Sequence, residues 1–329
     1  MTMILGVNLS DRFYLSGDTR LSYRDSDGDL YVRHDKMQKV EYLAGTRVNQ
    51  TLIAMAGDAA FANHIVKALR REQFARNGIA TIRNSIENWL RPLVDEYFTQ
   101  NGFTSAVFII GGADSNAKKI VNGSTWRDLA NAYTGGKGPV MVRNGLNSVI
   151  KPGEKIPDGD VELGINDTKL FAIRISQEQG IEIIDSKWGE LLLYGQSAGV
   201  IREEITTKEI GELEFGVNPT GHSKSSQSNT LLIAIVKTLA KKHNLESVGG
   251  AVLTMEHNYN GTTSIITGAA MIYSIKDMEK LKQGESLDPI EINEIAVENN
   301  RFYRIEHGTK YRLEPVSKYR PTGSMQLFL

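Results

Sequence analysis

Apolar and polar positions near the start of the chain group into two short β-like runs, a pattern that predicts a hairpin. Ile4-Leu5-Gly6-Val7 is the first run and Phe13-Tyr14-Leu15 the second, with Ser10-Asp11-Arg12 as the turn. Gly17-Asp18-Thr19-Arg20 ends the second strand, so the hairpin returns Asp18 towards the start of the chain. Another strand opens at Lys39-Val40, and Leu52 to Gly57 forms one that runs into a helix at Asp58-Ala59-Ala60. The period then changes from two to 3.6. Phe61, Ile65, Ala68 and Leu69 share one face of a helix from Asp58 to Asn77, and Ile82, Ile86, Leu90 and Val94 share one face of a second from Ile79 to Asn101. Gly78 between them suits a left-handed C-cap. Such a helix pair is expected to cover one face of a sheet.

Beyond the helices the strand pattern returns. Ser105 to Asp114 is a buried strand, and Lys169 to Ile175, Gly180 to Asp185 and Glu190 to Tyr194 read as a meander ending in Gly195-Gln196-Ser197-Ala198. Ser115 to Asp167, rich in Gly and Asn with a short helix expected at Trp126 to Tyr133, reads as an insertion. Thr220 to Asn229 is a loop leading into a helix from Asn229 to His243, with Leu232, Ile235, Val236 and Leu239 on its apolar stripe. Val252 to His257 and Thr263 to Ser274 form a last hairpin across Tyr259-Asn260-Gly261. The tail from Ile275 to Leu329 is charged, with short β-like runs such as Phe302 to Ile305.

Composition changes this picture by exclusion. The 329 residues hold 38 Lys plus Arg against 39 Asp plus Glu, a balance that points to neither nucleic acid nor a membrane surface as partner. No apolar run is of spanning length, and Asp11 interrupts any signal-peptide pattern, so the expectation is a soluble cytoplasmic protein. The absence of cysteine removes disulfides, thiol nucleophiles and thiolate metal sites. Asp25, Asp27 and Asp29 alternate, but Gly28 and Lys36 do not fit a calcium loop, and Asp27-Gly28 reads as a hairpin turn in the charged insertion Arg24 to His34. The six histidines form no zinc motif and Gly135-Gly136-Lys137-Gly138 is not a phosphate loop, so neither metal nor cofactor is expected.

Two nucleophiles stand out. Thr2 follows Met1, and removal of Met1 would leave a threonine carrying both a hydroxyl to attack and a free α-amine to take its proton. Separately, Gly195-Gln196-Ser197-Ala198-Gly199 fits the G-x-S-x-G elbow, with Gly111-Gly112 as an oxyanion turn and His257 or His307 as base. The hairpins and meanders are not the alternating strands and helices that an α/β-hydrolase requires.

The succession of Thr2, then Asp18-Thr19-Arg20, then Lys39-Val40, then Met55-Ala56-Gly57 entering a helix resembles the proteasome β-subunit type of N-terminal nucleophile (Ntn) hydrolase. Gly111-Gly112-Ala113-Asp114 and Gly249-Gly250-Ala251-Val252 continue the resemblance, which spans about residues 2 to 114 and 168 to 274. It implies an α+β fold, a four-layer αββα sandwich of two antiparallel sheets between helix layers, over residues 2–274. Residues 115–167 would be an insertion within it and 275–329 a C-terminal extension. It further implies that Thr2 attacks a peptide bond, Lys39 keeps the α-amine neutral, Asp18 fixes Lys39 and the Gly57 N–H binds the oxyanion. Ser197 would assist near the amine, although it stands one position from the family's Gly-Ser-Gly serine. Glu246 and Ser247 are each one step from the family's supporting Asp and Ser, whose places Leu245 and Val248 hold. Asp58 replaces a second glycine and is expected as the helix N-cap.

The implied function is a threonine-type peptidase working through an acyl ester on Thr2. The alternatives are a transpeptidase or protein ligase of the connectase-like kind using the same ester, a catalytically silent structural subunit, and a serine hydrolase using Ser197. The implied partner is a peptide or protein substrate, with a homo-oligomer in keeping with the family's rings and no ATPase partner assigned.

Overall fold

The first hairpin forms as its alternation predicts, with β1 (Met3–Leu9) antiparallel to β2 (Arg12–Asp18). The computed structural model describes residues 3–9, 12–24, 30–45, 50–71, 79–122, 140–144, 146–150, 160–187, 190–195, 198–199, 247–257, 263–266, 271–272, 283–284, 290–291, 294–299 and 301–318. The chain continues through β3 (Leu21–Arg24), β4 (Leu30–His34), β5 (Met37–Gln38), β6 (Val40–Gly45) and β7 (Gln50–Gly57) into α1 (Ala59–Arg71) and α2 (Ile79–Asn101). Then follow β8 (Ala106–Asn122), β9 (Val140–Asn144), β10 (Leu146–Ile150), β11 (Asp160–Ser176), β12 (Gly180–Asp185) and β13 (Leu191–Gly195). Later come β14 (Val252–His257), β15 (Thr263–Ile266), β16 (Met271–Ile272) and β17 (Ile290–Glu291). The tail carries β18 (Glu294–Glu298), β19 (Arg301–Glu306), β20 (Thr309–Arg312), β21 (Glu314–Pro315) and a 3-10 turn, Val316–Lys318.

Two antiparallel sheets carry the fold. The first runs β13-β1-β2-β14-β15; the second runs β10-β9-β11-β8-β7-β6, with β12 also on β11. Strand periodicity sorts the second sheet's side chains into two cores. Leu52, Ala54, Ala56, Ile109, Leu170 and Ala172 face the first sheet and meet Ile4, Phe13, Leu15, Leu253 and Met255. The alternate residues Ile53, Met55, Phe108, Ile110, Phe171 and Ile173 face the helices and meet Phe61, Ile65, Ile82, Ile86 and Leu90. Sheet packs on sheet, and the helix pair covers the second sheet's outer face. The fold class is therefore α+β, as the sequence indicates. Leu5, Val7 and Leu193 on the first sheet are also buried; the helix expected from Asn229 to His243 lies outside the described residues.

Three features differ from the sequence reading. The strand expected from Ser105 to Asp114 does not end at Asp114, because β8 and β11 stay paired from Ala106↔Ile175 out to Asn122↔Asp160, with one irregularity at Ile165/Asp167. The described part of the insertion is thus a continuation of two core strands, extended by the β9–β10 hairpin. The short helix expected at Trp126 to Tyr133 lies outside the described residues. Helix α1 begins one residue later than expected, at Ala59, since Asp58 serves as its cap: Phe61 N–H donates to Asp58 Oδ1 at 2.7 Å. Finally, the tail is built into the core. Ile295, Phe302 and Leu313 join the inter-sheet cluster and Val316 joins the helix-side cluster.

Candidate active site

Asp18 is the last residue of β2, and its carboxylate is buried. Oδ1 accepts from Lys39 Nζ at 2.8 Å and from the backbone N–H of Met3 at 3.0 Å. Oδ2 accepts from the N–H groups of Arg20 and Gly249, each at 3.2 Å. Four donors around one carboxylate are what an ionised buried acid needs. The hairpin explains the Met3 bond, because β1 and β2 pair Ile4 with Gly17 and so set Met3 beside Asp18. Asp18 therefore anchors the residue that directly follows Thr2.

Lys39 sits between β5 and β6, where its own carbonyl accepts from Met55 N–H at 3.0 Å. Its ammonium is buried and donates to Asp18 Oδ1 and to the Arg20 carbonyl. Two of its three N–H donors are thereby used among the described residues. Burial pushes the ammonium below the ordinary lysine value; the charge and hydrogen bond of Asp18 oppose that shift without cancelling it.

Residues on either side of Asp18 hold the surroundings. Thr19 N–H donates to Ala251 O at 3.0 Å, Thr19 Oγ accepts from Ala251 N–H at 2.9 Å, and Thr19 O accepts from Met37 N–H at 2.9 Å. Arg20 forms a two-point pair with Asp35, Nε to Oδ1 at 2.9 Å and Nη2 to Oδ2 at 3.2 Å. Burial raises the Asp35 carboxyl, but the hydrogen bond and charge of Arg20, with Arg304 and Lys39 behind them, outweigh it and hold it below its ordinary value. Gly250 has φ +74, and a Cβ there would lie 2.9 Å from that of Asp35, so only glycine fits the loop against this pair.

Gly57 ends β7 at the entrance to α1 and is exposed. Its φ of +101 excludes an ordinary side chain, and a Cβ would come within 2.5 Å of Ser105 O. Asp58 N–H donates to that same Ser105 carbonyl at 3.0 Å, so the turn is fixed on both sides. Gly57 and Lys39 both line a cavity of about 20 Å³. A larger one, about 330 Å³, lies against the tail and is lined by Arg70, Arg301, Arg312 and Lys318; Asp18, Lys39 and Gly57 take no part in it.

Of the residues marked in the sequence, the structure brings Asp18 and Lys39 into contact and sets Gly57 at the same cavity as Lys39. Thr2, Ser197 and Glu246 lie outside the described residues. Gly195 pairs with Met3, so the strand leading to Ser197 ends beside the start of the chain. Ser247 is buried, and its loop reaches Asp18 through the Gly249 N–H. That backbone donor, the Met3 N–H and the Arg20–Asp35 pair were not singled out in the sequence. The Asp-Thr-Arg and Gly-Gly runs were the available signals.

The Ser197 elbow finds little support. Its strand β13 lies antiparallel to β1 in an all-antiparallel sheet, whereas that motif belongs to a parallel one. His257 is fully buried and stacked on Phe13, with ring centroids 5.0 Å apart, and His307 is a positive-φ residue, φ 47, in the turn after β19.

An α+β protein of two stacked antiparallel sheets, with a buried acid–lysine pair at the start of its first hairpin, is the class that fold and site define. No protein-family model matches the chain, and no curated protein matches it. Among solved structures it is similar to an Anbu mutant from Hyphomicrobium sp. strain MC1, at 12% identity and a TM-score of 0.48 over 88% of this chain and 100% of that one. It is also similar to Anbu, described as an ancestral β-subunit, from Yersinia bercovieri (12% identity, TM-score 0.45, 87% and 100% covered). A third is the Anbu complex from Pseudomonas aeruginosa, described as a helical assembly (11% identity, TM-score 0.46, 88% and 98% covered). Among the described residues no helix is long and apolar enough to cross a membrane.

Proposed function

We propose that this chain is a proteasome-like N-terminal threonine hydrolase that cleaves peptide bonds through an acyl ester on Thr2. One observation carries the reading: the buried Asp18 carboxylate binds Lys39 Nζ and the Met3 N–H through the same oxygen, coupling a lysine to the backbone beside Thr2. A lysine buried only for structure is costly, and a partner shared with the chain start has a use if that start is the nucleophile.

The chemistry follows from groups at hand. Thr2 Oγ attacks the carbonyl carbon while the α-amine, free once Met1 is removed, takes the hydroxyl proton. The positive charge of Lys39 disfavours a second charge on that amine and so keeps it a base near neutral pH. The Gly57 N–H, at a helix entrance, receives the oxyanion. Collapse expels the leaving amine, which takes the proton back from the α-ammonium. Water then attacks the ester by the reverse proton path, releasing the acid and restoring Thr2. Asp18 acts through Lys39 and is a positioning residue.

The same ester passed to an amine gives a new peptide bond. The tail strand β21 beside β5 favours keeping this second reading, because it adds surface close to Lys39 on which another peptide strand could be held.

The test begins with the chain terminus. Protein with Thr2 exposed should cleave peptides, Thr2→Ala should be inactive and Thr2→Ser should retain measurable activity. An epoxyketone or β-lactone should add its mass to the N-terminal peptide alone. Two peptides incubated together, followed by mass spectrometry for a joined product, separate ligation from hydrolysis. Full activity from a chain still carrying Met1, or label on Ser197 with Thr2 untouched, overturns the proposal; no activity and no label with any electrophile leaves the silent structural subunit.

A further inference from the structure

The cavity shared by Lys39 and Gly57 is walled on one side by a residue from the far end of the chain. Its remaining walls are apolar and include Met37, Met55 and Ala62. Val316 closes it. The tail strand β21 lies parallel to β5, pairing Glu314 with Met37 and Pro315 with Gln38, and Glu314 N–H donates to Lys36 O at 2.7 Å. Val316 opens the 3-10 turn that follows β21 and is buried there, 3% exposed within the same apolar cluster as Met55, Phe61 and Ala62. With Val316 in place about 20 Å³ remains, little more than the room one water needs.

We infer that Val316 is a specificity-determining residue: it sets the depth of the pocket that receives the side chain of the residue whose carbonyl is attacked. The inference rests on the threonine-hydrolase reading. A carbonyl within reach of both Thr2 Oγ and the Gly57 N–H has its α-carbon one bond away. The substituent on that carbon then points to the cavity that Gly57 and Lys39 share. The cavity is apolar apart from Lys39, so it takes an uncharged side chain, and its size admits glycine or alanine and rejects leucine or phenylalanine. The Gly57 turn, another part of the lining, is held by the Asp58 N–H bond to the Ser105 carbonyl. The C-terminal tail thereby becomes part of the substrate site.

The experiment uses the full chain with Thr2 exposed and a peptide library randomised at the residue before the scissile bond, read by mass spectrometry. Wild-type protein should cleave after glycine and alanine. Val316→Ala should raise kcat/KM for a valine or leucine substrate, relative to alanine, by about tenfold or more, the usual worth of a methylene in an apolar pocket. Val316→Ile should shift the ratio the other way, from alanine towards glycine. It carries the test alone if thermal melts show that Val316→Ala is unfolded at the assay temperature. Wild-type preference for leucine or phenylalanine overturns the inference, as does an unchanged size ratio in folded variants. Failure of the parent reading looks different: no library member is cleaved and no electrophile labels Thr2.

Discussion

Asp18 and Lys39 form a buried pair whose two members depend on it unequally. With Lys39 removed, Asp18 keeps three backbone donors, from Met3, Arg20 and Gly249, which can still solvate a carboxylate. With Asp18 changed to Asn, the amide nitrogen faces N–H donors and the lysine keeps only neutral acceptors. Both Lys39→Ala and Asp18→Asn should abolish turnover, but Asp18→Asn should cost more stability, about 3–5 kcal/mol in urea melts, as for a buried charge deprived of its partner. An active Lys39→Ala enzyme would remove that residue from the mechanism. Asp35 gives a pH signature. Its carboxyl is held below the ordinary 3.8 in the folded chain, so its contribution is present above that value and lost as pH falls through the folded value. Unfolding midpoints measured on the acid side should therefore fall less steeply for Asp35→Asn than for wild type.

At the scale of elements, the long β8–β11 pair separates into two parts. From Ala106 to Gly112 and from Lys169 to Ile175, the strands pair with each other inside the sheet, and β8 also pairs with β7. Beyond that, Asp114 stands opposite Asp167. Those two ends are already at hairpin distance, so residues 115–166 can be replaced by an Asn-Gly turn without moving either strand. The shortened chain should keep a single cooperative melt by circular dichroism, while its preference among peptides, or its balance of hydrolysis and ligation, changes. Aggregation of the shortened chain would show that the insertion belongs to the core. Helix α1 offers a sharper local test at its start. Gly57→Ala requires a side chain at φ +101 against the Ser105 carbonyl, and the cost should be of order 1–3 kcal/mol along with loss of activity.

The molecule as a whole treats its two additions differently. The tail contributes Ile295, Phe302 and Leu313 to one core and Val316 to the other, all at most 7% exposed. At about 1.5–3 kcal/mol for each buried apolar side chain, these four approach the ~5–15 kcal/mol that keeps a typical domain folded. Arg304 adds a further tie, lying 3.9 Å from Asp35 and over the Tyr311 ring. Truncation after residue 289 should therefore yield insoluble protein or one that binds a dye for exposed apolar surface, in contrast to the insertion deletion. A soluble, cooperatively folding truncation would show instead that the tail is only an overlay.

Local periodicity in the sequence is enough to specify the first hairpin, both helices and their buried faces, because a side chain's face follows from its neighbours three or four residues away, or two along a strand. Asp18 and Lys39 are singled out instead by the resemblance of Asp18-Thr19-Arg20 and Lys39-Val40 to the proteasome β-type pattern, since neither periodicity nor charge alone marks them. Tertiary structure alone decides which donors surround them. The Met3 N–H, the Gly249 N–H and the Arg20 carbonyl are backbone groups, identical in every residue and invisible to any reading of side-chain type. The same holds for the extent of β8 and β11: from Asp114 to Lys119 β8 carries mostly polar residues with no strand-like alternation, and only its long-range pairing with β11 defines it. Val316 is the clearest case. In the sequence it is one apolar residue in a charged tail, with no period to mark it. Its place beside Lys39 and Gly57 arises because β21 finds the free edge of β5, a long-range pairing settled by the fold and by nothing within reach of residue 316 itself.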